Sequence, residues 1–390
     1  MTHDDLVRAF RAMHTARRLD DREILLKRQN RIYFQISGAG HEAVQGAAGL
    51  LLKPSHDWFY LYYRDRTLCL MLGVTPVQML LQAVGAAADI ASGGRQMPSH
   101  WGDPALNIVS CSSPTGTQFL QAVGCAHAGL LLAPDSDAVT LVSSGEGATS
   151  EGEFWEALNA ACLDRLPVVF LVEDNDWAIS VPVERQTAGA SISRLVSGFP
   201  DLRIAECDGT DFNASHQVLK DAVDYCRARR GPALVHAHVI RPYSHSLSDD
   251  ERLYKTAADR EREQQQDPVQ RFPEWLVSEG VLDRRALQRI VHEIEMEVQI
   301  ATETALGAEP PEPGSALWHL YSGAPEPAET PARPEGEPRT MVDEINLTLA
   351  EEMTRDERIV VFGEDVADCS RQESLGEVKG KGGVFKATQG

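Results

Sequence analysis

The sequence predicts an α/β chain built on a doubly wound parallel sheet, and three observations carry that expectation. Around its centre an apolar run at residues 138–142 is followed by a segment of helical character to about Leu163 and by a second apolar run at 167–172. Downstream the alternation repeats, with apolar runs at 202–207 and 233–240 flanking a helical segment at 213–229. Strand-length runs separated by helices are the pattern of parallel strands joined by crossovers. A crossover of roughly 30 residues returns right-handed beside its start, so both strand ends reach the same edge of the sheet. Gly145-Glu146-Gly147 at the first end and Glu173-Asp174-Asn175-Asp176 at the second are therefore expected to meet.

The elements before this unit follow from spacing. Residues 4–30 place Leu6, Phe10, Met13, Leu19, Ile24 and Leu25 at helical intervals, with charges on the other face, which predicts an amphipathic helix packed on a domain or partner. Gly38-Ala39-Gly40-His41-Glu42 leads into a second helix over 42–51, with His41 readable as a solvated residue at its start. Residues 58–66 are the densest aromatic cluster. Rings followed by arginine make a wall that can carry a bidentate phosphate donor, whereas a partly buried ion pair is the default reading of such an arginine. A helix is expected over 76–88, then a loop around Gly93-Gly94-Arg95-Gln96-Met97-Pro98-Ser99-His100, where turn formers displace periodicity. Hydroxyls and carbonyls bunch in Ser110-Cys111-Ser112-Ser113-Pro114-Thr115-Gly116-Thr117-Gln118 before a helix over 117–132. Such a cluster can cap the helix, hold a monovalent cation or accept cofactor hydrogen bonds.

After the last strand the chain enters a polar loop, Arg241-Pro242-Tyr243-Ser244-His245-Ser246. An imidazole at His245 suits phosphate binding and proton transfer because both its forms are accessible near neutral pH; a surface histidine in a mobile loop is the bland alternative. Residues 252–267 are polar enough for an exposed or partly disordered helix, and helical periodicity returns over 268–306 to close the first domain, 1–306. Proline and glutamate dominate 307–340, which reads as a semi-rigid linker with Trp318-His319-Leu320-Tyr321 able to dock on the surface. A new pattern follows: a helix over 341–353 and a short strand at 359–362, ending in Gly363-Glu364-Asp365-Val366.

Bulk composition narrows function. A net charge of −21 speaks against nucleic acid and anionic membranes as partners, and 43% apolar residues supply a large core. Seven scattered cysteines without a C-x-x-C pair read as a reduced, cytoplasmic chain with neither disulfide framework nor zinc site. No signal segment and no run of about 18 apolar residues is visible.

A carboxylate and a carboxamide at adjacent strand ends make an oxygen-ligand site in the crevice where open α/β sheets bind ligands. Two side-chain oxygens and a backbone carbonyl leave half an octahedron for phosphate oxygens and water, the usual way of holding magnesium. Gly145 and Gly147 allow close backbone approach, and Ser150 or Glu151 is expected to cap the following helix. Gly145-x-Gly147-x-x-Ser150 also approaches a dinucleotide fingerprint, but the acidic residue expected about 20 positions on is missing.

Gly145-Glu146-Gly147 followed by Glu173-Asp174-Asn175-Asp176-Trp177-Ala178-Ile179-Ser180 resembles the thiamine diphosphate motif of the 2-oxo acid dehydrogenases. The resemblance implies the thiamine diphosphate-binding fold, with Glu146, Asn175 and the Trp177 carbonyl as magnesium ligands; Glu146 stands for the commoner Asp and Asp174 for a non-ligating Asn. It puts Tyr63, Arg64 and His245 on the cofactor diphosphate, with His245 also catalytic, and Gly145, Gly147, Ser113 and Thr115 against the cofactor. Potassium would lie at Ser112, Pro114, Thr117 and Gln118, and the turn at His41 would open the substrate entrance with His100 nearby. Gly94-Arg95-Gln96-Met97-Pro98 is close to the form in branched-chain members. Residues 341–390 resemble the start of the partner subunit, with Glu364 near the cofactor, so the chain resembles a fused alpha–beta form cut off early in its second half.

The implied activity is oxidative decarboxylation of a branched-chain 2-oxo acid such as 3-methyl-2-oxobutanoate, with acyl transfer to the lipoyl domain of a dihydrolipoyl transacylase. The fused chain would be a homo-oligomer. A pyruvate or acetoin dehydrogenase component is the enzymatic alternative, and a module that binds the cofactor without turning it over is the alternative of another class.

Overall fold

A computed structural model describes residues 1–323 and 337–390, which fall into two units, Met1–Trp318 and His319–Gly390. In chain order the first unit forms α1 (His3–Arg28), α2 (Glu42–Leu51), β1 (Trp58–Tyr60), α3 (Arg66–Leu72), α4 (Pro76–Val84), α5 (Thr117–Leu132) and β2 (Thr140–Gly145). Then come α6 (Gly152–Leu163), β3 (Val168–Asp174), β4 (Trp177–Ala178), β5 (Val181–Pro182), α7 (Val183–Gln186), α8 (Ile192–Leu195), β6 (Arg203–Asp208), α9 (Phe212–Arg227) and β7 (Ala233–His238). Finally α10 (Ala257–Gln265), α11 (Pro268–Ser278) and α12 (Arg284–Leu306) close it.

The main sheet has the order β1-β2-β3-β7-β6 and every pairing is parallel. Alternate side chains divide two cores between its faces. Leu141, Val169, Leu171 and Val235 join the core with α1, α2, α9 and α12, while Val142, Val168, Phe170 and Leu234 pack with α5 and α6 on the other side. The chain steps from β2 to β3 through α6 and returns from β6 to β7 through α9, in the opposite direction across the sheet. Right-handed crossovers in opposite directions put their helices on opposite faces, which is the doubly wound arrangement.

Several boundaries differ from those expected. The strands expected at 138–142 and 167–172 run on to Gly145 and Asp174, because Ser143, Ser144 and Gly145 keep pairing with Leu171, Val172 and Glu173 after the apolar run has stopped. The helix expected over 76–88 stops at Val84, where Gly85 takes a left-handed cap with φ 68°. Charges of α1 assigned to its solvent face are partly internal: Arg66 of α3 pairs with Asp20 and Glu23, and Arg17 pairs with Glu42 and Asp267, all buried. Within residues 252–267 lies the helix α10, capped by Thr256 and anchored by the buried ion pair Lys255–Glu263 at 2.6 Å.

Of the stretch expected to be a linker, the beginning packs on the first unit, with Ala87 N donating to the Glu309 carbonyl at 3.0 Å and Ser315 buried. Residues 324–336 of that stretch lie outside the described residues. Trp318, Leu320 and Tyr321 are exposed. In the second unit α13 (Met341–Arg355) starts with a capping box at Thr340. The strand expected at 359–362 does not form: among the described residues no neighbouring strand pairs with it, and Phe362 is 85% exposed. No helix among the described residues is long and apolar enough to cross a membrane.

A half-buried histidine gives the first unit an acid sensitivity. His14 of α1 lies 5.7 Å from the Phe10 ring, its Nε2 has no partner, and burial together with Arg18 and Arg17 pushes it down to about 4. Its unfolded value is about 6.5, so below that pH the unfolded chain takes up a proton that the folded chain refuses. Stability is therefore expected to fall as pH drops from 6.5 towards 4, by up to about 2 kcal/mol at pH 5. Urea unfolding at pH 7 and 5 should show a smaller difference for His14→Leu than for the parent chain.

Candidate active site

Register brings the site together. Gly145 is level with Glu173 across β2 and β3, so Glu146 and Asn175 emerge side by side at the same edge. Asn175 N donates to Glu146 Oε2 at 3.3 Å. The other oxygen, Glu146 Oε1, and Asn175 Oδ1 are buried and have no hydrogen-bond partner. Burial first, then the neighbouring Asp174, pushes the Glu146 carboxyl up to about 7. Two orphaned buried oxygens beside each other are costly unless a cation satisfies them.

The third expected ligand is arranged by a two-residue hairpin. In the β4–β5 pair Trp177 faces Pro182, while Val183 N donates to Asp176 O at 2.9 Å. Trp177–Pro182 is thus the pair that exchanges no ladder bonds, which leaves the Trp177 carbonyl outside the ladder. Hard oxygen donors of this number suit magnesium, so the residues fit the ion.

Glu146 and Trp177 line one side of a cavity of about 530 Å³. Tyr63, Arg64, Ser112, Ser113, Pro114, Thr115, Gln118, Gly145, Gly147, His100 and His245 also line it. Asn175 lies beside Glu146, just outside the lining, and Thr117, also outside it, is the first residue of α5. Glu364 belongs to the second unit and is exposed.

Arg64 supplies a cation with no acid to balance it. It is 1% exposed, its Nε and Nη1 donate to the Tyr62 hydroxyl and the Ser37 carbonyl, and Nη2 lies 3.2 Å from His245 Nδ1. Among the described residues no carboxylate pairs with it. His245 was expected to have both its neutral and its charged form accessible near neutral pH, but burial, then Arg64 and Arg241, push it down to about 4, so with protein neighbours alone the ring is neutral. Burial first and nearby positive charge second, not exposure in a mobile loop, govern this histidine.

Other expectations at the site change. Glu151 takes the N-cap position of α6 without a side-chain capping hydrogen bond; a short 3-10 turn, Glu146–Ser150, precedes it, and Ser150 Oγ accepts from Gln186 Nε2 at 3.0 Å. Gly145 and Gly147 do permit close approach, but to protein: a Cβ would come within 2.8 Å of the Tyr62 hydroxyl and 3.0 Å of Ala178 Cβ respectively. His41 is neither solvated nor part of the cavity lining. It is fully buried, with Nδ1 2.6 Å from Glu173 Oε2. At the expected potassium position the Thr117 hydroxyl already donates to the Pro114 carbonyl, at 3.0 Å, and Gln118 Nε2 donates to Ser143 O at 3.3 Å. No orphaned buried oxygen marks that position among the described residues.

Two contributors were missed by the sequence reading. Arg241 is 1% exposed and bonds the Ile179 carbonyl and Tyr254 hydroxyl through Nη2, while its Nε and Nη1 have no partner. Gln186 holds the 3-10 turn through the Gly147 carbonyl at 3.0 Å and leaves its own Oε1 without a partner. An arginine where a buried strand runs out was the available signal for the first. Nothing local distinguishes the second.

Comparison with known proteins places these features in context. Residues 10–314 match the family model described as dehydrogenase E1 component. The chain is 36% identical over 324 residues to the 2-oxoisovalerate dehydrogenase subunit alpha of Bacillus subtilis (strain 168), covering 83% of this chain and 97% of that one. It is 36% identical to the 3-methyl-2-oxobutanoate dehydrogenase subunit alpha of Mycobacterium tuberculosis (strain CDC 1551 / Oshkosh), covering 72% of this chain and 73% of that one. It is 30% identical to the pyruvate dehydrogenase E1 component subunit alpha of Mycoplasma genitalium (strain ATCC 33530 / DSM 19775 / NCTC 10195 / G37), covering 78% and 81%.

Proposed function

Because the chain belongs to the dehydrogenase E1 component family, we propose that it acts in the thiamine diphosphate-dependent oxidative decarboxylation of a branched-chain 2-oxo acid, with 3-methyl-2-oxobutanoate as the type substrate. The acyl product passes to a lipoyl group of a transacylase partner. The observation that carries this reading is the pair of orphaned buried oxygens, Glu146 Oε1 and Asn175 Oδ1, in and beside a cavity with two buried arginines close by.

When bound, thiamine diphosphate supplies the electron sink for decarboxylation. The protein's part is to bind, orient and exclude water. Glu146, Asn175 and the Trp177 carbonyl would hold magnesium against the diphosphate. Arg64 and Arg241, with no carboxylate partner among the described residues, would meet its negative charge; this answers how a chain of net charge −21 takes an anionic cofactor. Tyr63 stacks at 5.0 Å from the Arg64 guanidinium and fixes its plane. His245 faces Arg64, whose Nη2 can only donate, so Nδ1 accepts there and Nε2 is the nitrogen left to accept or return a proton once phosphate oxygens raise the basicity of the ring. Ser113 and Thr115 would contact the cofactor. Ser112, Pro114, Thr117 and Gln118 would hold potassium. A beta-like domain starting near residue 341 would bring Glu364 to the cofactor, within a homo-oligomer. Seven free thiols support a reducing, cytoplasmic setting.

Apolar side chains in the cavity lining, Phe34, Ile36 and Met97, favour a branched acyl chain. Each added methylene in an apolar pocket is worth about 1–3 kcal/mol, roughly 10- to 200-fold. The chain, supplied with a complete beta half and an artificial electron acceptor, is expected to show a higher kcat/KM for 3-methyl-2-oxobutanoate than for pyruvate. The pyruvate dehydrogenase relative makes the reverse order the second reading, and that order would overturn the substrate assignment.

A further inference from the structure

Beyond the cofactor cavity, three strands end side by side and carry a second group of potential metal ligands. His236 and His238 are two residues apart on β7 and therefore share a face of the sheet. The register puts Asp174 of β3 opposite His238 and Glu206 of β6 opposite His236. One ligand atom each from Asp174, His236 and His238 lie within 4.8 Å of one another. His236 Nε2 is 2.8 Å from Asp174 Oδ2, and His238 Nε2 is 3.3 Å from Glu206 Oε2. A tetrahedral ion with bonds of about 2.0–2.2 Å wants its ligand atoms about 3.3–3.6 Å apart.

Ser193 Oγ contacts Glu206 Oε1 and lies 3.1 Å from His236 Nδ1, so one hydroxyl links the two residues and holds the buried imidazole with its Nε2 towards Asp174.

We propose that Asp174, His236 and His238, with Glu206 as the fourth ligand, bind one divalent transition-metal ion of the zinc type, at a site separate from the magnesium position. Two imidazoles with carboxylates select zinc, cobalt or nickel over magnesium, which prefers an all-oxygen shell. None of the four residues lines the cofactor cavity. The His238 and Glu206 side chains are half exposed, at 49% and 48%, so the ion enters from solvent. His236 is anchored at Nδ1 by Ser193, the outer partner that fixes a ligating imidazole. A bound ion would tie the ends of β3, β7 and β6 together immediately before Asn175, and so steady that residue.

The test is a titration of metal-stripped protein with Co²⁺ in excess Mg²⁺, followed by visible absorption and then by displacement with Zn²⁺. One tetrahedral Co²⁺ per chain is expected. His238→Gln and Glu206→Gln lie on the exposed side, where folding tolerates change, and each is expected to weaken binding about tenfold or more. Glu146→Ala is expected to keep the cobalt spectrum, which separates this site from the magnesium position. Absence of a tetrahedral spectrum would overturn the proposal. So would binding that His238→Gln and Glu206→Gln leave unchanged, because the ion would then sit on another of the chain's 12 histidines.

Discussion

In Glu146→Ala, magnesium-dependent binding of thiamine diphosphate is expected to weaken by more than about hundredfold. Changing residues that merely support a metal ligand costs about 10–100-fold, and Glu146 is assigned as the ligand itself. The folded chain should not suffer. Glu146 Oε1 has no partner among the described residues and Oε2 accepts only the long 3.3 Å bond from Asn175 N, so removing the buried carboxyl deletes a desolvated group at the loss of one weak hydrogen bond. A melting temperature equal to or above that of the parent chain, measured without cofactor, should accompany the lost affinity. Asn175→Ala should behave alike, with a smaller loss because a neutral oxygen is removed. Equilibrium dialysis with radiolabelled cofactor checks both; unchanged affinity in the two variants would remove the metal assignment.

The second large effect is expected at Arg64. Its guanidinium is held by the Tyr62 hydroxyl and the Ser37 carbonyl in an orientation that leaves Nη2 towards His245. Lysine cannot reproduce that fork, since an ammonium is a point charge on a flexible stem. Arg64→Lys is expected to lose about 2–5 kcal/mol of diphosphate binding, the usual cost of breaking a buried hydrogen-bonded charge pair. Magnesium binding measured alone should hardly change. Dialysis of the cofactor and of Mg²⁺ in parallel separates the two contributions. If both fall together, Arg64 shapes the fold of the site rather than the diphosphate contact.

Much of this was legible because one rule, the right-handed crossover, converts sequence spacing into proximity. Glu146 and Asn175 could be paired from the run, helix, run pattern alone, and the structure brings them within hydrogen-bond distance. Arg64 could be named from the aromatic wall preceding it. What sequence could not provide was the state of each group. His41 resembles a solvated helix start, but Glu173, Gln45 and Asp65 converge on its position from β3, α2 and the loop before α3. Asp20 and Glu23 look like the polar side of an amphipathic helix because their partner Arg66 is far along the chain. His245 looks ready to carry charge until Arg64 and Arg241 are placed beside it. Strand ends were misjudged for a related reason: backbone pairing continues through Ser143 and Ser144 where hydrophobicity has stopped. Long-range polar pairing leaves no periodic trace, whereas apolar packing does.

The central claim is that Glu146, Asn175 and the Trp177 carbonyl hold a magnesium ion that joins thiamine diphosphate to this chain. Calorimetric titration of the parent chain with thiamine diphosphate, once in excess Mg²⁺ and once in excess chelator, tests it most directly. The account predicts saturable binding at one site per chain with Mg²⁺ and loss of most of that affinity with chelator. Equal affinity in the two titrations, or no binding in either, would contradict it.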